Sequence, residues 1–173
     1  MKKRKPPVAK TLLKNSIQAI YSAIEMHNKP IFPYRYEVTT ILLINAWELL
    51  LKAFIYKFYD KRKAIYKNWK DWMYISLNDC LNYLAPKSKE IWIEFYLYKE
   101  SISKIYEYRN NVIHAHFKEL DVIIYWLFLQ NIIFYTDFIK KHFKIDISKK
   151  NNLILLPLWF NKPLIFKQNA PLF

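Results

Sequence analysis

The stretch Glu107-Tyr108-Arg109-Asn110-Asn111-Val112-Ile113-His114-Ala115-His116 gathers side-chain types that can do chemistry. On a helix, Asn110 and His114 are one turn apart and share a face. Arg109 is one position earlier, and its long side chain reaches round to the same place. An imidazole titrates near neutral pH and serves as general base or general acid. A guanidinium stays charged and offers fixed donors to developing negative charge. A carboxamide orients a phosphate or the imidazole ring. Cleavage of an RNA strand without a metal needs such a set. One group takes the ribose 2′-hydroxyl proton, another protonates the leaving 5′-oxygen, and a cation holds charge on phosphorus. One His and one Arg make a thin site, and two copies meeting near a two-fold axis would double it. The same residues also have a structural reading. In that reading Arg109 pairs with Glu107 or Asp121, and His114 caps a helix near its C-terminus. Spacing leaves both open.

The elements that must position these residues read as helices. Apolar residues recur at helical spacing in 8–27, through Leu12, Leu13, Ile17, Ile20 and Ile24. Pro30 and Pro33 force a loop over 28–34. The strongest helical segment is 35–60, with Leu43, Ala46, Trp47, Leu50, Leu51 and Phe54 on a wide apolar face. Segment 61–75 is basic and aromatic and carries no clear pattern. A short helix is expected over 76–84, with Ser76 as N-cap and Asp79 three residues on. Pro86 ends it, and a further helix is expected over 88–108. The segment 119–143 is apolar round most of its girth, which suits the buried centre of a bundle or an oligomer interface. The expected fold is all-α: an up-down bundle of four to five helices over 8–145. Residues 146–173, with Pro157 and Pro163, form an extended apolar tail expected to pack on the bundle or on a partner.

Composition narrows the function. The chain has 173 residues, 53% of them hydrophobic, which suits one domain with a real core. Its formal net charge of +14 favours polyanionic partners, nucleic acid or an acidic membrane surface. Gly is 0, which excludes a P-loop, a dinucleotide-binding fingerprint and a Gly-x-Ser-x-Gly elbow. It also disfavours a hairpin-rich all-β fold. With 1 Cys, Cys80, there is no internal disulfide, and a reducing cytoplasm is the simplest compartment. The basic start MKKRKPPVAK precedes no long apolar run, unlike a signal peptide. The longest apolar run, 122–129, is far short of the ~20 residues of a membrane span. The expectation is a soluble cytoplasmic protein with no membrane partner.

The segment RNNVIH resembles the Arg-Asn-x-x-x-His form of the Arg-x(4–6)-His motif in the HEPN superfamily of small helical ribonucleases. AWELLLKAFI is similar to an upstream helix of that superfamily, in which an acidic residue often precedes the motif. NKPIFPYRYEVTTILLINAWELLLKA resembles a bacterial, abortive-infection-like branch. The resemblance covers about 9–143 and leaves out the tail. It implies an up-down bundle, a homodimer with a composite site, and metal-independent endoribonuclease activity leaving a 2′,3′-cyclic phosphate. It implies no cofactor and no metal. Toxin and phage-defence biology follows, with an antitoxin or regulatory protein as possible partner. By position Arg109, Asn110 and His114 match the motif. Glu48 matches the upstream acid, where it would aim Arg109; alternatively it pairs with Lys52 on its own helix. Some of these toxins carry a Tyr two residues after the His; here that position is His116, which puts modification at that site in doubt. His116 would assist catalysis or bind phosphate, or simply sit at a helix end.

Other residues have two readings each. Arg35 and Lys52 are assigned to RNA phosphates, with Tyr34 stacking on a base. Against that, Tyr34 and Glu37 suit a staple and a first-turn acid of the following helix. Lys57, Lys61, Arg62, Lys63, Lys67 and Lys70 interleave with Tyr59, Tyr66, Trp69 and Trp72, a nucleic-acid pattern that a solvated loop over core rings shares. His27 and His142 stand at predicted helix ends, too isolated for a metal. The rival to a ribonuclease is a non-catalytic helical module that binds RNA or protein.

Overall fold

A computed structural model describes residues 8–29, 34–60, 66–68, 73–87, 95–114 and 121–147. Its described part is an all-α bundle with one short strand pair. The helices are α1 (Val8–Asn28), α2 (Arg35–Phe58), α3 (Leu77–Leu84), α4 (Phe95–His114) and α5 (Asp121–Phe143). A 3-10 turn, Ala85–Lys87, follows α3. Strands β1 (Tyr66–Asn68) and β2 (Met73–Tyr74) pair antiparallel within the segment that had no readable pattern.

Helix α2 runs through the centre. Leu43, Ala46, Trp47, Leu50 and Leu51 are fully buried on it. Its length and apolarity would let it cross a membrane, yet here it is mostly covered by the other helices, as a core helix is. Small residues Ala19 and Ala23 on α1, with Ala46 and Ala53 on α2, are buried, so the two backbones approach closely. Ser16 of α1 donates to the Ala46 carbonyl at 2.6 Å and lies 2.7 Å from the Tyr135 hydroxyl of α5. Ser16 has one proton, already given to Ala46, so Tyr135 is the donor in the second bond. Trp47, next to Ala46, meets Tyr98 of α4 and Tyr135 and Phe138 of α5. One turn of α2 thus joins four helices.

Local signals set the helix ends. Ser76 and Asp79 form the full capping box at the start of α3: Asp79 N–H donates to the Ser76 hydroxyl, and Ser76 N–H donates to the Asp79 carboxylate. Helix α5 ends at Lys144, whose φ of 59° is left-handed and whose N–H donates to the Lys140 carbonyl. Glycine normally takes that position; a chain without glycine uses lysine, at about 1 kcal/mol of backbone strain.

The structure revises several boundaries. Helix α2 ends at Phe58, two residues short of expectation. Helix α4 runs on to His114 rather than stopping near 108, because nothing between Tyr108 and His114 breaks it. Helix α5 is not buried all round, since Trp126 and Ile133 are exposed on an outer stripe with Gln130. The tail begins inside the fold: Ile147 is buried, and its carbonyl accepts from the Tyr21 hydroxyl of α1. Residues 148–173 of the expected tail lie outside the described residues.

Two predictions follow from this packing. Ser16→Ala strands the buried Tyr135 donor and should cost about 1–3 kcal/mol. Tyr135→Phe leaves Ser16 bonded to Ala46 and should cost less, and urea melts of the two variants compare them directly. His142 packs against the rings of Phe54 and Phe138 at 4.9 and 4.8 Å. Burial, then Lys141 and Lys144, lower its pKa from the ordinary 6.5 to about 4. The folded state keeps His142 neutral, while the unfolded chain protonates it below 6.5. Its contribution is therefore fully present above pH 6.5 and is lost as pH falls towards 4. Thermal melts of His142→Gln should show a shallower loss of stability across that window than wild type.

Candidate functional site

The Arg109 segment occupies the last turns of α4. Ring contacts fix its level in the bundle. Tyr108 lies 6.4 Å from Phe128 of α5, and Tyr36 of α2 lies 6.3 Å from the same ring. Further along, Trp47 of α2 meets Tyr98 of α4 at 6.5 Å. Helices α2 and α4 are therefore antiparallel, and the end of α4 is level with the start of α2. His27, the last turn of α1, also reaches Phe128 and Tyr125, at 5.7 and 5.9 Å. Four helix ends meet here.

Arg109 is half-buried. Its guanidinium carbon lies 5.3 Å from the centre of the Tyr106 ring, one turn back on the same helix. Its Nε is buried and has no hydrogen-bond partner. Tyr106, Asn110 and His114 follow one another at spacings of four, so they form one strip of the α4 surface. The guanidinium thus lies back over Tyr106, at the N-terminal head of the strip and on the side away from His114. Pairing of Arg109 with Glu107 is absent among the described ion pairs, and Glu107 is exposed. His114 is placed by its backbone, as the last residue of α4. His116 lies outside the described residues.

Two assigned residues stand elsewhere. Glu48 adjoins Trp47, and Trp47 is level with Tyr98. Arg109 is three turns further along α4, about 16 Å away along the axis. Glu48 instead accepts from Lys52 at 2.5 Å, within one helix. Lys52 is held in that pair and both charges act on the buried Cys80 of α3, whose thiol burial pushes up to about 12. Neither Glu48 nor Lys52 reaches the strip.

A carboxylate on α2 that is level with Arg109 is Glu37, one residue after Tyr36. Its Oε2 is buried without a hydrogen-bond partner. Sequence offered it only as a first-turn acid or a groove residue; its alignment with Arg109 depends on which way α4 runs. Arg35 is at this end too. It donates to the Lys29 carbonyl at 2.8 Å and lies over the Tyr36 ring, while its Nε is buried and unpartnered. Tyr34 is exposed beside it. One end of the bundle therefore holds three buried charged-group atoms without hydrogen-bond partners, on Arg35, Glu37 and Arg109. Such atoms carry a desolvation cost; an anion would relieve the two arginine donors, whereas Glu37 needs a donor or a cation. Among the described residues no cluster of three or more His, Cys, Asp or Glu could hold a metal ion.

The fold and this strip define an all-α bundle that carries an Arg-Asn-x3-His strip at one end. Residues 11–171 match the family described as "Domain of unknown function (DUF3644)", and the chain belongs to that family. No curated protein and no solved structure matches the chain.

Arg109 makes a cation–π contact but no hydrogen bond through Nε. Arg109→Ala should therefore lower stability by only about 0.5–1 kcal/mol. A thermal melt tests this, and a drop of several kcal/mol would make Arg109 a structural residue.

Proposed function

We propose that the protein is a metal-independent endoribonuclease of the HEPN type, acting as a homodimer in toxin or phage-defence biology. The observation that supports it most is the strip on α4: Arg109, whose buried Nε has no hydrogen-bond partner among the described residues, stands beside Asn110 in the last turns of the helix that ends at His114. The net charge of +14 suits an RNA substrate. The exposed Trp126 and Ile133 stripe of α5 offers apolar area for a second copy.

In the proposed reaction, His114 of one copy takes the proton from a ribose 2′-hydroxyl. The 2′-oxygen attacks phosphorus, and the bond to the 5′-oxygen breaks. His114 of the other copy protonates that leaving oxygen. The products are a 2′,3′-cyclic phosphate and a 5′-hydroxyl, with no net consumption of protons. Arg109 stabilises the extra negative charge on the phosphorane, and Asn110 orients phosphate or imidazole. Arg35, at the same end, contacts a flanking phosphate.

The test is incubation of purified protein with total RNA in EDTA, alongside His114→Ala and Arg109→Ala. Cleavage by wild type alone, with cyclic-phosphate ends, is the expected result, and each variant should lose at least about 100-fold, the scale of one acid–base or electrostatic group. RNA bound but left whole by a folded dimer would favour a non-catalytic binding module. Equal cleavage by all three would place the site elsewhere.

A further inference from the structure

We propose that the opposite end of the bundle is a second, separate binding site for single-stranded RNA, with lysines on phosphates and exposed rings on bases. Helix α2 has 24 residues and is about 36 Å long. The Arg109 strip is level with its start, and the proposed site is at its finish.

The site is built round Phe54, a buried ring near the end of α2. Phe58, Tyr59 and Phe143 lie 5.0, 5.8 and 6.5 Å from it. Tyr83 of α3 meets Tyr59 at 6.2 Å. Phe58 and Tyr59 remain 48% and 38% exposed, at a place where nothing in the core needs them outside. Three lysines stand among these rings. Lys57 lies over Phe58 and Phe143, at 4.7 and 5.1 Å. Lys87 lies over Tyr59 and Tyr83, at 5.8 and 5.1 Å. Lys144 follows Phe143 directly, in its left-handed cap. None of the three makes an ion pair among the described residues. Among the described residues Asp60, Asp137 and Asp146 are acids near this end, and Asp146 lies 3.9 Å from Lys140.

Cations near helix C-termini are ordinary. Exposed rings gathered between them are not. Rings that bases stack on, alternating with cations that follow the phosphates, are the chemistry of single-strand recognition. An acidic membrane surface would answer the charge alone. It would also want a continuous apolar face, whereas each exposed ring here carries a lysine.

The experiment uses the full chain carrying Arg109→Ala, so that RNA stays whole. Its probe is a fluorescein-labelled oligouridylate of about 20 nucleotides, longer than the ~4–16 nucleotides of one binding fold. Anisotropy is read across a salt series. Lys57→Gln with Lys144→Gln should weaken binding and reduce the slope of log K against log salt by about 0.7 for each lysine. Phe58→Ala should weaken binding at an unchanged slope. Lys99→Gln with Lys104→Gln, on α4, removes the same charge elsewhere and should change little. Equal loss in that control pair would mean net charge alone, and overturns the site. So does absence of RNA binding, or binding only to phosphatidylserine vesicles. The outcome is independent of cleavage: wild-type protein that binds here yet cuts nothing overturns the ribonuclease reading and leaves this one standing.

Discussion

The Ser16 hydroxyl, set between the Ala46 carbonyl and the Tyr135 phenol, is the constraint on which the bundle depends. It is buried, and it joins three helices with two hydrogen bonds. Satisfying it requires α1 to approach α2 closely, which the buried alanines of both helices permit. It also requires α5 to bring Tyr135 to the same level. Trp47 then fills the space beside Ala46 and draws in α4 through Tyr98. Burial holds the Tyr135 hydroxyl in its protonated form by raising its pKa. With the centre fixed this way, the ends of the helices are free to differ.

They differ in chemistry. At one end, where four helix termini meet, Arg35, Glu37 and Arg109 each hold a buried polar atom without a hydrogen-bond partner among the described residues. At the other, lysines lie on aromatic rings round Phe54. The first end holds groups under electrostatic demand. The second meets its demands with rings and leaves charge facing outward. A bundle this narrow has room for both because its length, not its width, separates them.

Much of the architecture was legible in the residues. Ser76 with Asp79 fixed the start of α3, since a hydroxyl and a carboxylate three apart cap a first turn in only one way. The apolar face through Trp47 and Leu50 marked α2 as a helix, but the place at the buried centre was expected for 119–143, whose apolar residues run round most of its girth. The α4 strip was legible as a spacing, because helical period alone puts Asn110 and His114 on one face. Other features depended on information that spacing does not hold. The β1–β2 pair has no glycine turn to announce it. The end of α4 was expected near 108, whereas the helix continues to His114. Glu48 drew attention as an acid on the right helix, but whether an acid is level with Arg109 follows from the antiparallel register, which is a tertiary fact. Glu37 had the same residue type and the right level, and no local pattern distinguishes it.

The contact between Ser101 and Asn131 has a wider meaning. Asn131 donates to the Ser101 hydroxyl at 2.7 Å and to the Ser101 carbonyl at 3.2 Å, and Ser101 in turn donates to Gln130. Two helices joined by apolar side chains alone can slide by a turn with modest loss, because one greasy surface fits another. A buried carboxamide reduces that freedom, since a shift breaks both bonds to Ser101 and leaves only the bond to the Leu127 carbonyl of its own helix. Asn131 therefore works as an index pin between α4 and α5. The surface of α4 beyond the pin can change residue by residue without altering the height at which its last turn is presented. The residues presented there can drift while the scaffold keeps its register.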